Sequence, residues 1–175
     1  MKNILIFIIT LFSFLTTNAQ ITKGNWMVGG TGSFYSAQLK DNNMTSNSLG
    51  LELRPNLGFF MIDKFAVGIA PLFAYNKPEN GSSVLSYGAG PYARYYFLKA
   101  ENRINVLTHV GYSYFANNNA NDNSTALDFK AGPVLFFNSS VALEMTVNYS
   151  LNNLNSSTKY NIFSLGLGFQ IHLEK

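Results

Sequence analysis

From Tyr160 to Leu173 the chain alternates without a slip. Phe163, Leu165, Leu167, Phe169, Ile171 and Leu173 fall on one side, and Ser164, Gly166, Gly168, Gln170 and His172 on the other. A period of two places alternate side chains on opposite faces of an extended strand, so the large apolar residues share one face that needs a dry surrounding. At about 3.4 Å per residue, the run from Phe163 to Leu173 covers roughly 34 Å, enough for a tilted crossing of a bilayer core. That is long for a globular strand.

The same period recurs upstream. A first strand runs from about Asn25 to Ala37, with Gly29, Gly30 and Gly32 obscuring its two faces. A second, about Ser48 to Met61, sets Leu49, Leu51, Leu53, Leu57 and Met61 against Gly50, Glu52, Arg54, Asn56 and Gly58. In the third, Phe65, Val67, Ile69, Phe73 and Tyr75 oppose Ala66, Gly68, Ala70 and Ala74; in the fourth, Leu85, Tyr87, Ala93, Tyr95 and Phe97 oppose Ser86, Gly88, Gly90 and Arg94. The fifth, Arg103 to Phe115, sets Ile104, Val106, Val110, Tyr112 and Tyr114 against Asn105, His109, Gly111 and Ser113. The sixth opposes Leu127, Phe129 and Leu135 to Asp128, Lys130 and Gly132. The seventh opposes Leu143, Met145, Val147 and Tyr149 to Ala142, Glu144, Thr146 and Asn148.

Eight strands joined in succession predict an all-β, antiparallel up-and-down meander, and an even number lets it close into a barrel. The turns at 63–64, 99–102 and 138–140 read as short. The stretches 38–47, 76–83, 116–124 and 152–158, rich in Asn, Ser and Asp, read as longer loops, the asymmetry expected of a transmembrane barrel. Pro55, Pro71, Pro91 and Pro133 each remove a ladder donor inside a strand, and bulges are expected to absorb them. A proline followed by paired aromatics recurs at Pro55 with Phe59-Phe60, Pro91 with Tyr95-Tyr96 and Pro133 with Phe136-Phe137, an echo of hairpin repetition.

Alternation does not say whether the apolar face points into the barrel or out of it; volume does. An eight-stranded barrel is only just wide enough to be filled by side chains, and roughly forty mostly large apolar residues would not fit inside one. The face rich in Gly, Ala, Ser and Asn does fit, so the large set should face lipid. Two features agree. Aromatics gather at both strand ends, Trp26, Phe59, Phe65 and Phe97 near the short turns and Tyr75, Tyr87, Tyr112, Tyr114 and Tyr149 near the loops, as the two interfacial girdles of such barrels require. Charges within the strands, Glu52, Arg54, Arg94, Asp128, Lys130 and Glu144, keep to the small face, where they escape the cost of about 2 to 4 kcal/mol that a lipid-facing Arg or Lys carries at mid-bilayer.

Composition narrows the compartment. The chain has 175 residues, one domain's worth, and no cysteine, which excludes a disulfide framework or a thiolate metal site. Residues 1–19 read as a cleaved signal peptide: Lys2 supplies the positive start, Ile4 to Leu15 the apolar run, and Thr17-Asn18-Ala19 the small-residue site preceding Gln20. Residues 20–175 then form the barrel domain. A formal net charge of +3 gives no support to nucleic-acid binding. No metal-ligand spacing or phosphate-binding glycine loop is present, and no cofactor is expected.

The ending Ser164-x-Gly166-x-x-Phe169-x-Ile171 resembles the C-terminal signal strand of bacterial outer-membrane proteins, which implies insertion by the barrel assembly machinery. It departs from that pattern in continuing through His172-Leu173-Glu174-Lys175. From about Lys23 onward the chain resembles the small OmpA/OmpX/OmpW-like outer-membrane β-barrel family, and the leader ending in Asn-Ala-Gln resembles those of Bacteroidota. The resemblance implies a cell outer-membrane location among membrane lipids and lipopolysaccharide, and a monomer. The three acids and three bases of the small face, with His109, are expected to pair as a structural polar network that fills the lumen, since an unpaired buried charge is very costly. The outer loops would then carry a structural or surface-interaction role, with passage of small or hydrophobic solutes, as in OmpW-like barrels, as the alternative. A hydrolytic set of His109 with Ser113 or Glu144, after barrel enzymes that trim lipid A, is opposed by its inward placement. Gly24-x-Trp26 resembles the start of lipocalins, but an inward-apolar carrier fails the volume argument.

Overall fold

In a computed structural model, residues 21–41, 44–79, 82–118, 120–154 and 158–174 are described. The expected leader and its cleavage point lie outside them. Eight strands, β1 (Trp26–Asp41), β2 (Met44–Ile62), β3 (Phe65–Pro78), β4 (Val84–Tyr96), β5 (Ile104–Asn117), β6 (Ala120–Phe136), β7 (Val141–Leu154) and β8 (Thr158–Leu173), pair in chain order, and β8 returns to β1 to close the barrel. Every pairing is antiparallel. The ladder partners that start at Trp26 run through Phe59, Val67, Ala93, Val110, Phe129 and Tyr149 to Phe163. Trp26's own β8 partner is Leu173, so one circuit climbs the wall by the ten residues between Leu173 and Phe163. That stagger tilts the strands and sets the bore.

The faces sort by size. Leu53, Val147, Leu165 and Leu167 stand outward, Leu165 at 67% exposure, while Arg54 (6%) and Glu144 (0%) are buried inside. Trp26, Phe97, Tyr75, Tyr87 and Tyr114 stand on the outer surface near the strand ends, Tyr112 and Tyr149 stand outward farther inside β5 and β7, and Trp26 packs against Phe59 at 5.1 Å between ring centroids. On β1, where glycines obscure the pattern, Met27, Thr31 and Ser33 face in and Val28 and Phe34 face out. The cross-strand glycines 58 and 68 make room for the one large ring at mid-lumen: a Cβ on Gly68 would lie 2.8 Å from Cζ of Tyr92.

Two expectations are corrected. The polar stretches read as long loops are largely strand: β1 continues to Asp41, β2 starts at Met44, β5 and β6 are separated by residues 118–119, and β7 and β8 by 155–157. Among the described connections the longest is 97–103, at the end read as carrying short turns, where Asn105 Nδ2 donates to the carbonyls of Leu98 and Lys99. Once a closed barrel fixes the register, each further cross-strand pair satisfies backbone groups, and this context overrides the low strand propensity of Asn and Ser. The prolines are not absorbed by bulges either. Pro55 pairs with Gly30 and Pro71 with Ala89, but between Leu53↔Phe73 and Leu57↔Ile69 the β2–β3 ladder is interrupted without a change of register. That places Pro55 opposite Pro71, two residues with no N–H to exchange. The β4–β5 and β6–β7 ladders skip Pro91 and Pro133 in the same way, and the register shifts lie elsewhere, at Phe60/Ile62 and Ala116/Asn117.

Leu167, midway along the outward face of β8, tests the orientation directly. Leu167→Arg should lower the unfolding free energy in lipid vesicles by about 2 to 4 kcal/mol, read as a drop in urea midpoint at unchanged slope. An inward Leu167 would instead give a protein that fails to close.

Candidate functional site in the barrel lumen

The lumen has three storeys, each built from small-face positions of several strands. The floor lies at the end carrying Trp26 and Leu173. There the aromatic pairs divide, one ring outward and one inward, because neighbours in a strand point to opposite faces. The inward members Phe60, Tyr96 and Phe136 are fully buried and surround His172, with ring centroids 5.8, 6.2 and 5.5 Å from it. Met27, Leu107, Val134 and Ala142 complete this apolar layer, and Ile21 is buried with them. Ile21 is held by its carbonyl accepting from the Lys64 N–H at 2.7 Å, while Gly24 and Asn25 exchange backbone bonds with Phe60.

Above the floor, Arg94 on β4 crosses the bore to Glu144 on β7, donating from Nη1 to Oε1 at 2.6 Å. Gln170 Nε2 donates to the other carboxylate oxygen at 3.2 Å, and the Tyr96 hydroxyl lies 3.4 Å from Oε1. Higher still, Arg54 serves two acids. Its Nε donates to Glu52 Oε1 at 2.7 Å, and its Nη1 and Nη2 donate to the Asp128 carboxylate at 2.6 and 3.2 Å. Ser113 Oγ accepts from Arg54 Nη1 at 3.1 Å. A guanidinium offers five donors in a rigid fork, which lets one Arg satisfy two carboxylates and a hydroxyl. Toward the far mouth, Asn148 Nδ2 donates to Ser33 and Ser164, Ser86 Oγ donates to Asn117 Oδ1, and Leu72, Phe115 and Ala126 form a small apolar cluster.

The structure therefore gathers Glu52, Arg54 and Asp128 into one network and Arg94 with Glu144 into a second. Lys130 stands apart from both networks, its Nζ donating to Thr31 Oγ1 at 3.2 Å. His109 stacks on Tyr92, centroids 4.8 Å apart at 18°. It is not brought into a hydrolytic set: Ser113 bonds Arg54, and Glu144 bonds Arg94 and Gln170. Of the expected assembly-signal residues, Gly166 faces the lumen, where a Cβ would come within 2.8 Å of Asn148 Nδ2, and Phe169 and Ile171 face outward. Polar side chains fill the middle storey and share the upper one with a small apolar cluster, whereas the floor is apolar. The apolar floor was missed, although its signal was present in the aromatic doublets.

Removing one partner of the Arg94–Glu144 pair leaves a fully buried charge uncompensated. Glu144→Gln should cost about 3 to 5 kcal/mol in urea unfolding from vesicles. The double variant Arg94→Met with Glu144→Leu should recover most of that loss, and additive costs in the double-variant cycle would show that the two groups do not interact.

No family model matches the chain, and no curated protein matches it by sequence. Solved structures do match. The chain superposes on the crystal structure of Neisserial surface protein A with a TM-score of 0.61 at 14% identity, covering 87% of this chain and 98% of that one. It superposes on the outer membrane protein OprG from Pseudomonas aeruginosa with a TM-score of 0.56 at 15% identity, covering 90% and 100%. The likeness is one of fold across nearly the whole of both proteins. Joined to an outward apolar belt bounded by aromatics, it makes this chain a membrane-spanning, eight-stranded β-barrel of the small outer-membrane kind.

Proposed function

We propose that the protein is a closed, non-enzymatic barrel of the bacterial outer membrane that contributes to envelope structure or surface contact through its upper end, where polar hairpins join β1 to β2, β3 to β4, β5 to β6 and β7 to β8. The observation that carries this reading is the double closure of the bore, by the Arg54 and Arg94 ion pairs and by the aromatic floor beneath them. An aqueous path would have to break buried charge pairs, which is very costly. The outward belt fits lipid and lipopolysaccharide as surroundings, and we read Phe169 and Ile171, exposed on the outer face of β8, as part of a signal for the barrel assembly machinery. We read the protein as a monomer, and the Asn-Ala-Gln leader as that of a Bacteroidota export signal removed before Gln20.

A second reading, a lateral route for small hydrophobic solutes, draws support from one place. Leu72, with Phe115 and Ala126, lines the upper lumen next to Pro71, where the β2–β3 ladder is interrupted. Such a route would leave the barrel sideways, at the level of Arg54.

Purified, refolded protein in planar bilayers should give no stepwise conductance, and discrete openings would overturn the closed-bore reading. Proteoliposomes should accumulate an apolar dye no faster than empty vesicles; faster uptake that Pro55→Val with Pro71→Val abolishes would favour the lateral route instead.

A further inference from the structure

We infer that the middle of the lumen holds a binding site for one small monatomic anion of the halide class. Between the Arg54 and Arg94 networks lies a cavity with space for the centre of a single water-sized occupant, about 10 Å³. Its wall includes Thr31, Asn56, Tyr92, Arg94, His109 and Lys130, with Arg54 and Ser113 at its upper side. No carboxylate lines it: Glu52, Asp128 and Glu144 stand behind the arginines that they pair with.

The charged groups on this wall, Arg54, Arg94 and Lys130, are all donors. Lys130 is buried, makes one hydrogen bond to Thr31, and has no carboxylate within ion-pair distance among the described residues. Arg94 spends Nη1 on Glu144, while its Nε is buried without a protein partner. The Tyr92 hydroxyl, a further donor, is likewise unpartnered, as are His109 Nδ1 and the Asn56 amide oxygen. An ammonium and a guanidinium with an unpartnered N–H, both on the wall of a small cavity, call for an acceptor, and a charged one offsets the cost of burying the lysine. The size of the space excludes phosphate, sulfate and carboxylates, whose several heavy atoms do not fit. A neutral water is the competing occupant, since it could accept from Lys130 and donate to His109 Nδ1, but it would leave the ammonium with no anion in direct contact. The site uses the same two arginine networks as the closed-bore reading and asks only that they flank a pocket, so bromide binding and bilayer conductance test the two separately.

Two measurements test it on the full-length mature protein. Crystals grown from protein refolded in sodium bromide should show an anomalous bromide peak in the cavity, between Lys130 and Arg94. Unfolding in urea at equal ionic strength should be halide-dependent: with the anion at ten times its Kd, the unfolding constant in bromide should fall about tenfold relative to gluconate, an anion too large to enter. Lys130→Met should abolish that difference; if this variant does not fold, the bromide peak in the unaltered protein decides. Bromide confined to the outer surface, or bromide and gluconate curves that superimpose, would overturn the assignment.

Discussion

An eight-stranded cylinder has room inside for little more than the side chains of its own wall, and that limit sorts almost every residue of this chain. Beyond the few that form the floor and the small upper cluster, large apolar side chains have no space within, so they face outward and require lipid as their solvent. Small residues line much of the bore, and where the Tyr92 ring enters at mid-lumen, glycines at 58 and 68 give way to it. The ten-residue stagger around the barrel comes from the same closure and places β1 against β8 with no free edge along their shared length.

Narrowness also governs the charges. Charged side chains on the small face have nowhere wet to go, so they satisfy one another: Arg54 takes two acids and Arg94 takes one. The electroneutral arithmetic of three acids and three bases hides an asymmetry, because Arg54 serves two carboxylates and Lys130 is left with a hydroxyl. The polar storey is thus balanced in sum and unbalanced in place, with positive groups bordering a cavity that no carboxylate reaches.

The backbone shows how far closure can override local preference. Four in-strand prolines interrupt ladders without disturbing the register, because each strand is held on its other side by a complete neighbour. The facing pair Pro55 and Pro71 concentrates two lost donors in one place, next to the apolar cluster of the upper lumen. In the same way, polar stretches that would be loops in isolation extend the hairpins, since the register is already set below them.

Alternation along Leu165, Leu167 and Phe169, with the absence of charge from that face, determined the strands, the closed topology and the outward direction of the greasy side, because a period of two and a limited bore leave one solution. The confinement of Glu52, Arg54, Arg94, Asp128, Lys130 and Glu144 to the lumen followed by the same logic. Which acid meets which base did not, since Arg54 and Asp128 come from strands far apart in the chain and meet only across the closed bore. The aromatic floor around His172, the isolation of Lys130 and the gap between facing prolines were likewise decided by tertiary structure. Each depends on the relative height of residues on different strands, and that height is fixed by the stagger of the whole barrel, a property no single strand carries.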